Sequence, residues 1–245
     1  MYILAIDTAT KHFVSSISQE DKFLAGSFSE ARKTHSDEIL IDIQENLKDA
    51  KLSLDDIDYF AASEGPGSFT GLRIGIATIQ ALALAKEKPC LKVNTLEAIA
   101  YGKRDKSKIT IPMLDARNRR VYAAAYLGDK TILEAQVSTI DEFIDKLLAE
   151  LNKQDIEVKE ILFAGDDARL QYAQDEKILS KLNAYNISTS EAFYEPEALG
   201  KLAYQQVEAG NLLKPEELLP EYYEATEAYR NLSAEAKRKI DNSIE

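Results

Sequence analysis

The sequence runs twice through one succession of elements: strand, strand, strand, helix, strand, helix. That doubling constrains the fold more than any single motif. In the first pass, Tyr2–Asp7, His12–Ser18 and Lys22–Phe28 read as short strands joined by polar turns. A helix capped by Thr34 or Ser36 runs to about Ala50, with Ile39, Leu40, Ile43 and Leu47 on its apolar face. Tyr59–Ser63 has the make-up of a buried strand, and a glycine-rich turn leads into a helix from about Thr70 to Lys86. The second pass has strands at Ile109–Leu114, Val121–Leu127 and Thr131–Val137, then a Thr139-capped helix over Asp141–Asn152. Glu160–Ala164 follows as a strand closed by Gly165-Asp166-Asp167, with helical patterns at Asp167–Ala173 and Pro196–Ala209. The repeat predicts two similar α/β lobes around a cleft: a first lobe over 1–105 and a second over 106–219, meeting near residues 103–108. The segment after Pro220 is expected to return in part to the first lobe, and Ala234–Ile244 to form a weak, exposed helix.

Several function classes fall on counting. A chain of 245 residues holds one or two domains at about 100–200 residues each. The single cysteine, Cys90, excludes an internal disulfide framework and a cysteine-rich zinc site, and a reducing compartment fits best. The two histidines, His12 and His35, are too far apart for a metal pair on one helix face, so no metal site is expected. The N-terminus lacks a basic segment before its short apolar run, unlike a signal peptide. The most apolar stretch, Ile74–Ala85, falls short of the about 20 residues a bilayer requires. The expectation is a soluble cytoplasmic protein without a membrane partner.

Charge argues against a surface built for gripping nucleic acid. The 30 Lys and Arg face 42 Asp and Glu, a net charge of -12, whereas phosphate binding draws on basic side chains that displace counterions. The balance is uneven. Residues 101–130 hold 8 basic and 3 acidic side chains, an island of +5 within a frame of -17. Arg104, Lys106, Arg117, Arg119 and Arg120 belong to it. Two readings stay open: a solvated hinge, or a patch for anionic ligands near the cleft.

The most informative stretch is Gly65-Pro66-Gly67-Ser68-Phe69-Thr70-Gly71-Leu72-Arg73-Ile74-Gly75, between a strand and a helix. Amides at such a helix start can hold an anion. The spacing nevertheless matches neither the P-loop, because no Lys-Ser/Thr pair follows, nor the dinucleotide fingerprint, because Gly67-x-x-x-Gly71 is one residue too long. The helix beyond carries no charge from Ile74 to Ala85, with small residues at Gly71, Gly75, Ala77, Ala81 and Ala85. It is either buried within the fold or turned toward another chain. Asp7 and Asp115 end equivalent strands, either as turn starters or as carboxylates that orient Mg²⁺ and water around a nucleotide. Ser68 and Thr70 lack a nearby base other than His35, so no catalytic residue is assigned.

Taken together, Ile3-Leu4-Ala5-Ile6-Asp7-Thr8-Ala9-Thr10, Thr34-His35-Ser36, the glycine loop, Asp115-Ala116-Arg117 with Val121-Tyr122, and Pro220-Glu221-Tyr222-Tyr223 resemble the TsaB (YeaZ) family. The motifs occur in family order over nearly the whole chain, and the glycine loop is the specific one. The resemblance implies two ribonuclease-H-like lobes of the actin-like, sugar-kinase-like and heat-shock-chaperone ATPase superfamily. It implies a role in making threonylcarbamoyladenosine beside the anticodon of tRNAs reading codons that start with A. It also implies a non-catalytic subunit that pairs with and activates a TsaD-type transferase, joins a TsaE-type ATPase, forms homodimers in isolation and meets tRNA through the complex.

On that reading the partner interface includes His35, Ile39, Ile43, Gly71, Ile74, Gly75, Ala77, Thr78, Ala81 and Leu82. The superfamily nucleotide positions fall on Asp7, Thr8, Thr10, Asp115 and Gly165. The sequence departs from an ATPase there: Asp7-Thr8-Ala9-Thr10 lacks the glycine that lets amides reach a phosphate, and Gly165-Asp166-Asp167 has an acid where a second glycine is usual. The catalytic paralogue's His-x-x-x-His pair is also missing after His35. The chain is therefore expected to have no cofactor of its own, with ATP and Mg²⁺ entering only in the complex. The competing expectation is a self-standing Mg-ATP-dependent phosphotransferase or ATPase. A peptidase, and direct tRNA binding through the basic island, are weaker alternatives.

Overall fold

The computed structural model describes residues 1–30, 35–190 and 193–223, and of residues 35–38 the backbone alone. The first sheet is formed by β1 (Tyr2–Asp7), β2 (His12–Gln19), β3 (Lys22–Glu30), β4 (Tyr59–Gly65) and β5 (Cys90–Asn94), in the order β3-β2-β1-β4-β5. The second is formed by β6 (Lys108–Asp115), β7 (Arg120–Leu127), β8 (Lys130–Thr139), β9 (Glu160–Gly165) and β10 (Asn186–Thr189), in the order β10-β9-β6-β7-β8. Read from the other edge, the second order repeats the first. In both sheets the first three strands are antiparallel and the last two run parallel to the central one. The expected repeat is therefore real. The sequence reading missed β5 and β10, the closing parallel strand of each sheet. Both are short, and Lys92 and the polar residues of Asn186–Thr189 hide their periodicity.

Three apolar layers hold the lobes. Outside the first sheet lie α1 (His35–Asp49) and α2 (Phe69–Lys86), whose Ile39, Ile43, Ile76 and Ile79 pack on Leu4, Ile6, Phe13 and Phe60. Outside the second lies α4 (Ile140–Lys153), whose Phe143, Ile144 and Leu147 meet Ile111, Val121 and Phe163. Thr139 caps α4 as the sequence predicts, in a reciprocal box with Glu142. Between the sheets sit α3 (Thr95–Ala100) and α7 (Pro196–Glu208), which join Ile3 and Ala5 of one sheet to Leu114, Ala124 and Ala164 of the other. Burying each such Leu or Ile contributes about 1.5–3 kcal/mol, so this shared middle layer joins the lobes. Two short helices, α5 (Ala168–Ala173) and α6 (Glu176–Lys181), complete the second lobe.

The expected second lobe of 106–219 ends too late. Helix α7 packs across β1, β2, β3 and β5, Leu213 bonds to Cys90 through both backbone groups, and Leu218 is fully buried in the first-lobe core. The chain thus returns to the first lobe by residue 196. The apolar stripe of α7 (Leu199, Leu202, Ala203) drives this, because it fits the inner face of the first sheet. Thr34, the other helix cap considered, and Ala234–Ile244 lie outside the described residues, and Ser36 is already within α1.

The glycine loop owes its composition to one close contact. The turn after β1 lies directly on the start of α2: Thr8 Oγ1 donates to the Gly71 carbonyl at 2.7 Å, and the Ser68 amide donates to the Ala9 carbonyl at 2.6 Å. A β-carbon at Gly71 would overlap the Thr8 carbonyl oxygen, and one at Gly75 would overlap Thr8 Oγ1. Only glycine lets the two backbones approach this closely. Gly71→Ala is expected to lower unfolding free energy in urea by about 1–3 kcal/mol or more; an unchanged midpoint would show that the turn can yield.

Candidate functional site

A cleft of about 810 Å³ opens between the lobes. Thr10 and Lys11 of the β1–β2 turn, Ser68, Phe69 and Thr70 of the α2 start, Asp115 and Arg117 after β6, and Asp166, Asp167 and Gln171 after β9 line it. Lys11 reaches across to Asp167 at 3.3 Å, an exposed pair worth little in stability. Asp166 is the structural carboxylate of the cleft: it accepts the Asp115 amide at 2.9 Å and the Ala168 amide at 2.9 Å. Burial pushes its carboxyl above the ordinary carboxylate range, and the charges of Asp115 and Asp167 add to the shift.

Of the five nucleotide positions taken from the resemblance, only Thr10 and Asp115 line this cleft. Asp7 is 1% exposed and turned inward. Its carboxylate accepts the Ala9 amide at 2.6 Å and the Tyr194 hydroxyl at 2.7 Å. Burial raises its pKa, against the opposing pull of those bonds. Thr8 is buried and bonded to Gly71, and at Gly165 a β-carbon would overlap the Met113 carbonyl, so that glycine serves strand packing. Sequence reasoning missed Tyr194, which is 187 residues from Asp7 and carries no local signal. At the start of α2 the Ser68 amide serves Ala9 and the Gly71 amide serves Ser68 Oγ. No group of three or more metal-ligating side chains occurs among the described residues.

The uncharged helix is buried on one side and open on the other. Gly71, Gly75, Ile39 and Ile43 were expected to face a partner but do not. The glycines lie on the β1–β2 turn and the isoleucines fill the first-lobe core at 1% and 3% exposure. Ala77 and Ala81 are exposed and Ile74, Thr78 and Leu82 half-exposed. Leu84 at 60%, and Leu40 and Ile41 of α1 at 53% and 56%, are exposed too. The side chain of His35 lies outside the described residues. Of the two polar side chains between Ile74 and Ala85, Thr78 donates to the Ile74 carbonyl and Gln80 to the carbonyls of Pro215 and Leu218.

The basic island of the sequence is not one patch in space. Lys106 precedes β6 and Arg117 follows it, so the strand separates them by roughly 23 Å. Arg104 pairs with Glu97 at 3.3 Å and stacks on Tyr126 at 3.8 Å. Arg119 bridges Asp175 and Asp141 at 3.0 and 3.4 Å. Arg120 also has an interaction partner. Arg117 is the island's residue that lines the cleft. An anion patch made of all five is therefore corrected to single side chains, most of them already engaged.

A doubled β3-β2-β1-β4-β5 lobe with helices between and outside the sheets defines a two-lobed α/β protein. The family model described as TsaD, tRNA N6-adenosine threonylcarbamoyltransferase, matches residues 29–230. The Bacillus subtilis (strain 168) protein named tRNA threonylcarbamoyladenosine biosynthesis protein TsaB is 30% identical over 179 residues, 73% of this chain and 77% of that one. Among solved structures, a Pseudomonas aeruginosa protein described as similar to peptidase YEAZ superposes with a TM-score of 0.69 at 22% identity, covering 91% of this chain and 99% of that one. A ROK hexokinase from Thermus thermophilus superposes at 0.51 and 12% identity, over 84% and 100%. The chain belongs to the TsaB (YeaZ) branch of the TsaD-type family.

The buried Asp7 gives a pH test. Its folded-state pKa lies above the ordinary 3.8, so between the two values the folded chain binds more protons than the unfolded one. Stability from this group falls as pH rises through that window. Asp7→Asn removes the effect. The unfolding free energy of the parent minus that of Asp7→Asn should therefore decline with pH above about 4, measured by urea titration at successive pH values. A flat or rising difference contradicts the assignment.

Proposed function

We propose that this chain is an accessory subunit of tRNA threonylcarbamoyladenosine biosynthesis, which docks on and activates a TsaD-type transferase and catalyses no step itself. The observation that carries this reading is the open, uncharged face of α2, Ile74, Ala77, Thr78, Ala81, Leu82 and Leu84, beside Leu40 and Ile41 of α1. An exposed helix face without charge from Ile74 to Ala85 is the mark of a protein-protein contact. The names of the relatives support the pathway. A TsaE-type ATPase joins the complex, the free chain forms homodimers over an overlapping surface, and tRNA contacts come mainly from the partner, as suits a chain of net charge -12. ATP and Mg²⁺ enter with the complex, in the cytoplasm. No helix among the described residues is long and apolar enough to cross a membrane.

The cleft favours a second reading, a self-standing Mg-ATP-dependent phosphotransferase. Asp115 and Asp166 could hold the cation there, and Lys11 lies across from them. Against it stands Asp7, withdrawn into the core and bonded to Tyr194. Calorimetric titration of the isolated chain with Mg-ATP separates the readings. Heat of micromolar binding that Asp115→Asn abolishes supports the phosphotransferase.

Ala77 and Ala81 are exposed, so changing them spares the fold. Ala77→Glu and Ala81→Glu should each weaken co-purification with the TsaD-type paralogue by more than about a hundredfold, because an unpaired carboxylate is forced into an apolar contact. Thermal unfolding should stay within a few degrees of the parent. Undiminished binding by both variants would remove this face from the interface.

A further inference from the structure

Two sequence motifs 150 residues apart form one unit that neither the cleft nor the docking face accounts for. The Glu221 amide donates to the Glu64 carbonyl at 2.8 Å, laying the segment beside the glycine loop. Tyr222 then stacks on Phe69 with ring centroids 5.1 Å apart and accepts from Arg73 Nε at 2.9 Å. The Arg73 guanidinium lies over the same Phe69 ring at 4.0 Å. Tyr223 accepts from Asn94 Nδ2 at 3.0 Å in the first lobe and meets Tyr122 of the second lobe edge-on at 6.4 Å. Behind it the strap from Leu213 is fixed by the bridge to Cys90, the buried Leu218 and the two Gln80 bonds to α2.

We infer that Leu213–Tyr223 is a clasp between the lobes whose closure is coupled to docking on α2. This inference rests on the accessory-subunit reading. Phe69 of the first lobe and Tyr122 of the second both line the cleft, and the two tyrosines of the strap rest against them. Arg73 and Ile74 open the exposed face of the docking helix, so a partner seated there touches the very guanidinium that holds Tyr222. The partner then meets an ordered Arg-aromatic stack only when the clasp is closed. A ligand that contacts one state and not the other shifts the population toward it. By reciprocity, opening the clasp weakens docking by the same factor.

The test uses the full chain. Spin labels at Lys22→Cys and Lys153→Cys, one exposed site on each lobe, report the interlobe distance. The native Cys90 is buried, and burial pushes its thiol up to about 12, so it does not take the label. The double variant Tyr222→Ala, Tyr223→Ala is expected to lengthen and broaden the distance distribution and to weaken binding of the TsaD-type paralogue at least about fivefold. Tyr222→Phe keeps the stack and loses only the Arg73 bond. It folds like the parent and should give an intermediate shift in both readouts. Adding the paralogue to the parent should narrow the distribution. Unchanged distance and affinity in the tyrosine variants overturn the clasp. If Ala81→Glu abolishes binding while they bind normally, docking stands and the coupling fails; if Ala81→Glu itself binds normally, the docking reading fails first.

Discussion

The turn after β1 rests on the bare backbone of α2, and much else in the molecule depends on that contact. Thr8 and Ala9 supply the oxygens and Gly71 and Gly75 supply the room. In a phosphate-binding lobe the amides at a strand turn and a helix start point into the cleft. Here the Ser68 amide at the helix start donates to the Ala9 carbonyl of the turn, and the Thr8 hydroxyl donates to the Gly71 carbonyl. Beside it Asp7 turns inward, where Tyr194 closes over it, and the opposite side of α2 is exposed, uncharged from Ile74 to Ala85. The first-lobe turn is thus packed on the chain's own backbone at the start of α2.

The doubling of elements was legible because strands of six to ten residues closed by polar turns and a strongly amphipathic helix carry their pattern locally. The closing strands β5 and β10 were not, because short strands interrupted by lysine or serine look like loops. The helix α7 was found but assigned to the wrong lobe, since an apolar stripe states that a helix is buried and not against which sheet. The uncharged character of α2 was read correctly, while the meaning of its small residues was not. Gly71 and Gly75 face Thr8, and Ala77 and Ala81 face outward, although all four share one spacing in the sequence. A period of four cannot separate a contact within the chain from one outside it when both sides of a helix carry small residues.

Charge changed meaning between sequence and structure as well. The +5 island divides along β6, and its arginines mostly answer acids of the second lobe, Asp141 and Asp175, or Glu97 and the Tyr126 ring. The acidic excess is therefore not relieved by a concentrated basic surface. That agrees with the proposed accessory role, which asks no concentrated phosphate-binding surface of this chain.

The central claim is that the open face of α2 is where this chain works. Amide hydrogen exchange of the parent chain, with and without its TsaD-type paralogue, tests it most directly. The account predicts new protection confined to residues 69–86 and the exposed turns of α1, with the second-lobe helix α4 unchanged. Protection that falls instead on α4 and α6, leaving α2 to exchange as in the free chain, would contradict it.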